Sequence, residues 1–478
     1  MAKITPQLLN QHLLWRAGFG PMPDNLTWLS QTVPTDLYRK MEKVSQSPGE
    51  DFGVTGNLVD GLGKGLGELA RWQQLSKDQK IQLRKQSVEA LKSLNLAWLD
   101  TMVGSDRQLR EKVSFFWHGH FACRVINVYF QQQLINTIRR NALGNFGDLL
   151  REVSKSPAML AFLNNQQNKK QHPNENFARE VMELFTMGRG NYTEDDVKES
   201  ARAFTGWGFN FQGEFVERPF LHDNGTKTFL GKTGNFDGDD ILDIILENRQ
   251  TAYFITAKMV RFFVGDQVGE DRIRALSDRF YQSNYEISPL LADIFMSDWF
   301  YEPPHIGTRI KSPIELMVGI RRMIPMQIEA PQVQLLFQRA LGQVLFFPPN
   351  VAGWPGGRTW IDSSTLLLRM RIPQLLAFSS EFSLQPKEDD DMTMGRPQPQ
   401  DHRGKRKIRV SIDWQTVVRA FDPVPRDELG SALFGTLFQT QSRIPKEVLD
   451  RYVEKDTRGD YIGTSVIGLM STPEYQLC

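Results

Sequence analysis

Apolar residues recur at helical spacing along most long segments of this chain, and the alternation expected of strands is nearly absent. Leu69 to Met102 reads as one or two long helices. Ser105, with Gln108 three residues on, has the form of a capping box that opens a helix through LREKVSFFWHGHF. NENFAREVMELFTM, Asn174 to Met187, predicts a helix closed by Gly188 and Gly190. Thr193, followed by Asp196, caps the next one, which runs to Thr205 and stops at Gly206. Further helices are expected over 239–265, 270–282, 286–299, 312–325, 331–343 and 411–475. Phe215 to Arg218 and Thr228 to Leu230 carry the few strand signals, enough for one short hairpin. The expected fold class is all-α, predominantly helical, with long functional loops at 207–238 and 344–361 and at most that short β-hairpin.

Two stretches interrupt the pattern. Residues 45–67 are rich in Gly, Ser and Asp, with glycines at Gly61, Gly63, Gly65 and Gly67. Residues 384–408 join an acidic run, prolines and a basic run, the composition of a solvated insertion. The expected organisation is a main helical domain over 1–383 carrying the polar site, a charged flexible insertion or linker at 384–408, and a C-terminal helical segment, 409–478, packed on the main domain.

Composition narrows the function classes. The 57 basic and 56 acidic residues of the 478 nearly cancel, so no global field recruits nucleic acid or an anionic membrane. The basic run Arg403 to Lys407 reads as a solvated loop face. Cys123 and Cys478 are the two cysteines, too few for a disulfide framework or a cysteine-type zinc site. No apolar run approaches the ~18 residues of a membrane span. The first residues lack the charged and apolar regions of an export signal, so a cytoplasmic protein is expected.

Four segments carry candidate chemistry. Glu111 and His118 stand two helical turns apart and so share a face, with ligand types that suit zinc, manganese or iron. His120 lies roughly 200° around the helix from His118, so both bind one ion only if Gly119 breaks the helix. A hydrogen-bonded core histidine is the competing reading. In NENFAREVMELF, Asn176, Glu180 and Glu183 form a polar stripe on a largely apolar helix, and buried carboxylates there need a metal, a proton or a cation. Arg179 is four residues from both Glu175 and Glu183, so an intrahelical salt-bridge ladder is the alternative. The Gly- and Asn-rich stretch LHDNGTKTFLGKTG places His222, Asp223, Lys227 and Lys232 in a loop, where catalytic residues are often found. It has Thr226 where a phosphate loop needs glycine. Finally, FFPPNVAGWPGGRTWI offers Trp354 and Trp360 as a substrate platform or as a rigid structural loop.

The strings HLLWRAGFGP, REKVSFFWHGHFA, NENFAREVMELFTMGRGNYTEDDVKESARAFTGW, HDNGTKTFLGKTG and PPNVAGWPGG, in that order across residues 12–370, resemble the bacterial family called domain of unknown function 1800. The resemblance implies no established activity. It implies mostly bacterial members, many with export signals, and genes that often neighbour a second family, numbered 1501, similar to alkaline phosphatases and sulfatases. Export bound to such a signal-bearing partner is therefore an alternative to the cytoplasm. The family pattern has Asn between its two histidines where this chain has Gly119, which bears on the role of His120. Glu111, His118, Asn176, Arg179, Glu180, Glu183, His222 and Asp223 match the pattern.

The leading expectation is a metal-dependent enzyme, a hydrolase acting on an extracellular or periplasmic polymer or ester. Glu111, His118 and Glu180 or Glu183 would hold a zinc, manganese or iron ion, with His120 secondary. His222 or Asp223 would be general acid or base, and Arg179 would orient a carboxylate or an anionic substrate group. An iron oxidoreductase is the variant within the enzyme class. The alternative is a non-enzymatic binding or assembly protein, its polar cluster a structural network.

Overall fold

Every residue of the helix Gln108–His120 except Gly119 is buried in the computed structural model. The structure describes residues 4–56, 76–210, 212–378, 381–382 and 406–478 except 442, 444, 446, 447 and 449. Around this helix pack Lys77–Gly104, Val128–Asn141 and Pro34–Ser45. Lys77–Gly104 in turn packs on Pro313–Met323 and Val333–Leu341. A second group, including Phe146–Ser154, Gly238–Glu247, Arg249–Phe263, Glu270–Gln282 and Ile287–Phe295, lies against one another through amphipathic faces. One continuous apolar core runs from Leu13 to Tyr475.

The C-terminal helices Trp414–Arg419 and Leu429–Leu437 both pack on Arg458–Met470, as does Ser363–Ala377. They are sewn to the rest by main-chain bonds. Cys478 and Arg309 exchange N–H···O bonds of 2.8 and 3.0 Å, and Met326–Ile328 pairs antiparallel with Val410–Ile412. Arg16, fully buried, donates to the main-chain oxygens of Val264, His305 and Cys478 at 2.8–2.9 Å.

The described residues are predominantly helical, with small two-stranded sheets, as the periodicity predicts. Several details differ. The expected single hairpin is two: Trp207–Phe209 pairs with Phe215–Glu217, and Lys227–Phe229 with Lys232–Gly234. Each candidate strand found a nearer partner across a tight turn, at a smaller loop-closure cost. Ser105 is the last-turn cap of Lys77–Gly104 and not the N-cap of the next helix. Two extra residues follow it, because the Gln108 side chain turns back to the carbonyls of Met102 and Ser105 at 3.0 and 2.7 Å. The span 239–265 breaks at Asn248, whose side chain caps Arg249–Phe263. Among the described residues the span 411–475 holds the three α-helices named above and short turns at Asp450–Tyr452 and Glu474–Gln476, and Ser363–Ala377 forms where no element was expected. Residues 57–67 and 384–405, within the two expected loop segments, lie outside the described residues, as do 69–75 of the first long helix. No helix among the described residues is long and apolar enough to cross a membrane.

Close packing sets a clear test. A Cβ at Gly319, inside Pro313–Met323, would overlap the Trp15 ring, whereas one at Gly468, inside Arg458–Met470, meets nothing within 4 Å. Gly319→Ala is expected to destabilise by about 1–3 kcal/mol. Gly468→Ala is expected to stabilise by about 0.5–1 kcal/mol through helix propensity. Urea unfolding of both variants checks this, and equal stabilities would contradict the packing.

Candidate functional site

Polar groups on a buried helix need partners, and most of those on Gln108–His120 find theirs on other parts of the chain, while Ser114 Oγ donates to Arg110 O within the helix at 2.7 Å. The Gln108 side-chain oxygen accepts from Phe19 N–H. Arg110 donates to the carbonyls of Ser45, Gln46, Arg139 and Arg140 at 2.5–2.9 Å. Trp117 Nε1 donates to Ala142 O at 3.1 Å. Lys112 donates to Trp15 O at 3.1 Å and forms a buried ion pair with Glu315. Arg309 also clamps Glu315, at 2.5 Å. Burial alone would raise the Glu315 carboxyl, but Arg309 and Lys112 overcome it and hold the group at about 2.

Glu111, the first expected ligand, is fully buried and saturated. Arg139 donates to both its oxygens, through Nη2 at 2.7 Å and Nε at 3.1 and 3.2 Å, and Trp98 Nε1 adds a bond of 3.0 Å. Arg139 is itself held by Glu50 O at 2.7 Å and by the Phe52 ring, 4.4 Å from its guanidinium carbon.

The helix runs unbroken through Gly119, so the two histidines point apart as the 200° spacing requires. His118 lies beside Trp98, with ring centroids 5.0 Å apart, so it shares a face with Glu111. Its Nε2 accepts from Phe346 N–H at 3.1 Å, and the Phe346 and Trp354 rings pack at 5.0 and 5.4 Å. Burial pushes its imidazole down to about 3, so it is neutral. Phe346 has φ of 68°, a left-handed conformation costly for a bulky residue, and the His118 bond helps hold it. Beside it, Gly353 has φ of 83°, and a Cβ there would sit 2.5 Å from Gly119 O. Trp360 is core and Trp354 half-buried, so this loop packs on the helix rather than offering two aromatic faces.

His120 turns the other way. Its Nε2 donates to Phe185 O at 3.0 Å, and burial, then Lys258, hold it well below its ordinary range. Its Nδ1 is buried without a partner. The accepting carbonyl lies in a π-helical turn, Val181–Thr186, which continues Glu175–Glu180 and replaces the expected regular helix. Such turns often mark functional sites. No periodicity signal reveals one.

The carboxylates of this segment disperse. Arg179 grips Glu194 with two bonds of 2.8 Å and Glu175 at 3.2 Å, so the expected ladder to Glu183 does not form. Glu183 accepts instead from Tyr192 Oη at 2.7 Å and Arg189 at 2.6 Å, and these hold its carboxyl below the usual range. Asn176 donates to Leu163 O at 3.1 Å. Glu180 is half-buried, with no hydrogen bond or ion pair among the described residues, and burial, then Glu183, raise its carboxyl.

The His222 loop is closed on itself. His222 Nδ1 donates to Thr205 O at 2.9 Å. Arg202 holds Asp223 at 2.8 and 3.3 Å and keeps its carboxyl low. Lys227 Nζ donates to the carbonyls of Asp223 and Gly225, and Lys232 pairs with Glu247. Among the described residues, no three His, Cys, Asp or Glu side chains are grouped to hold a metal ion. The expected ligands therefore do not fit a single centre: Glu111 and His118 meet at Trp98, while Glu180, Glu183 and His222 stand on other segments with other partners.

Sequence reasoning missed Arg139, Trp98, Lys112, Glu315 and Phe346. One signal was available: Lys112 falls on the apolar side of the helix, at i−3 and i−4 from Phe115 and Phe116, where a charge needs a partner. Which residues serve as partners is a tertiary fact with no local trace.

The family described as "Protein of unknown function (DUF1800)" matches residues 12–477, so the chain belongs to that family along nearly its whole length. The match extends well past Gly357, where the last quoted string ends. No curated protein and no solved structure matches the chain.

The neutral His118 has a pH consequence. Its folded-state pKa lies below the 6.5 of a free imidazole, so the unfolded chain takes up the proton first. Its contribution to stability is whole above that value and is lost as pH falls toward 3. His118→Gln, which keeps a neutral acceptor near Phe346 N–H, is expected to lose less Tm between pH 7 and pH 5 than the parent. Parallel pH–Tm curves would count against a buried neutral histidine.

Proposed function

We propose that the chain is a binding or assembly protein whose interior polar cluster is an architectural network. The partner in this reading is the alkaline-phosphatase- or sulfatase-like protein that the family resemblance implies. One observation carries it: both oxygens of Glu111 are taken by Arg139 and Trp98, and the Nε2 lone pair of His118 by a backbone N–H. A metal at Glu111 would have to displace Arg139 and leave a buried guanidinium unpaired, which is strongly unfavourable.

A second reading, a hydrolase, keeps one favouring observation. Glu180 is a half-buried carboxylate with a raised pKa and no partner among the described residues, the condition in which carboxyls serve as general acids. Zinc, manganese or iron would be its cofactor only if supplied by ligands other than Glu111.

Elemental analysis after purification without added metal, with thermal shifts in zinc, manganese and iron, separates the readings. The network reading expects no stoichiometric metal and an unchanged Tm. It also expects Glu111→Ala to cost about 3–5 kcal/mol, because Arg139 is left buried without its counter-charge. Crosslinking in cells is expected to recover a stable partner protein. Stoichiometric metal that His118→Gln loses while staying folded would overturn it, as would a chain recovered alone.

A further inference from the structure

A cleft of about 650 Å³ opens between the C-terminal helices and the end of Ser363–Ala377, and none of the candidate site segments lines it. Its size falls among small-molecule sites, which run from about 300 to 1,000 Å³. One wall is aromatic. Trp414 lies over Gly463, where an added Cβ would make ordinary van der Waals contact with the ring at 3.7 Å. Phe378, 62% exposed, also lines the cleft, and Ala377, Val418 and Ile467 complete the apolar surface.

The rim is acidic. Asp422 and Glu454 line the cleft, and neither carboxylate has an ion pair or side-chain hydrogen bond among the described residues. Glu454 is positioned by its own N–H, which donates to Thr464 Oγ1 at 3.0 Å. The other two charges in the lining are engaged. Asp460 accepts from Thr457 Oγ1 at 2.5 Å as part of a helix cap. Arg419 donates to Thr416 Oγ1 at 3.1 Å, and that hydroxyl donates to Asp413, but Arg419 has no ion pair among the described residues. The three carboxylates of Asp422, Glu454 and Asp460 against this one guanidinium leave the lining with a net charge of −2.

We infer that this cleft binds a small organic cation, an ammonium or guanidinium group carried on an apolar body. The faces of Trp414 and Phe378 attract a cation through their ring quadrupoles and cover the apolar body. Asp422 and Glu454 supply the counter-charge. The net negative lining disfavours an anion, and a neutral apolar ligand would gain nothing from the two carboxylates. This gives the binding reading above a site, and it stands or falls separately from the partner.

Calorimetric titration of the full chain with 4-phenylbutylamine, against 4-phenylbutanol and 4-phenylbutyrate, tests it. The amine is expected to bind saturably and roughly tenfold or more tightly than the alcohol, with no binding of the carboxylate. The double variant Asp422→Asn/Glu454→Gln, at two exposed positions, is expected to keep the parental Tm and lose that roughly tenfold advantage. Trp414→Phe, which keeps an aromatic face, is expected to retain preference for the amine with weaker binding. Equal binding of amine and alcohol, no saturable binding of the amine, or undiminished binding by the double variant would each overturn the inference. Loss of partner recovery with intact cation binding would fail the partner reading alone.

Discussion

A helix buried on every side that still carries Gln108, Arg110, Glu111, Lys112, His118 and His120 is the constraint on which the rest of this structure depends. An unpaired charge in such a place costs several kcal/mol, and an unpaired hydrogen-bonding group about 1–3 kcal/mol. The chain meets that cost by bringing a separate segment to each side chain. Phe19 and Trp15 come from the N-terminal helix region, Ser45 and Gln46 from the end of Pro34–Ser45, and Arg139 from Val128–Asn141. Glu315 comes from Pro313–Met323, Phe346 from the proline-rich loop and Phe185 from the π-helical turn. Apolar packing drives the burial, but the polar pairs decide which segment sits where.

The two histidines show how one motif serves two anchors. Set about 200° apart, they cannot share an ion while the helix stays regular. His118 accepts from a strained loop residue, and His120 donates to a carbonyl in the π-helical turn. Both are held neutral by burial, which suits hydrogen-bonding posts. The Glu111–Arg139 pair then ties the same helix to the loop at Glu50 and Phe52. Accessible chemistry lies elsewhere: at Glu180, half-buried beside Glu183, and in the acidic, aromatic cleft of the C-terminal helices.

Much of the architecture was legible in the residues themselves. Apolar spacing of 3.6 residues gave the helices, and the Thr193–Asp196 capping box and the glycines at 188 and 206, both at positive φ, marked ends that the structure keeps. These are local properties, settled within one or two turns of chain. The same arithmetic set His118 and His120 apart and put Glu111 with His118, and both results hold. What periodicity could not give was the identity of the partner across space. Arg139 is 28 residues from Glu111 and Glu315 is 203 from Lys112, and nothing near either acid or base announces the match. A carboxylate or imidazole on a buried helix has the same sequence whether it meets a metal, a guanidinium or a backbone N–H. Only the packed tertiary structure, by choosing which group desolvates against which, made Glu111 half of an ion pair and the histidines fasteners.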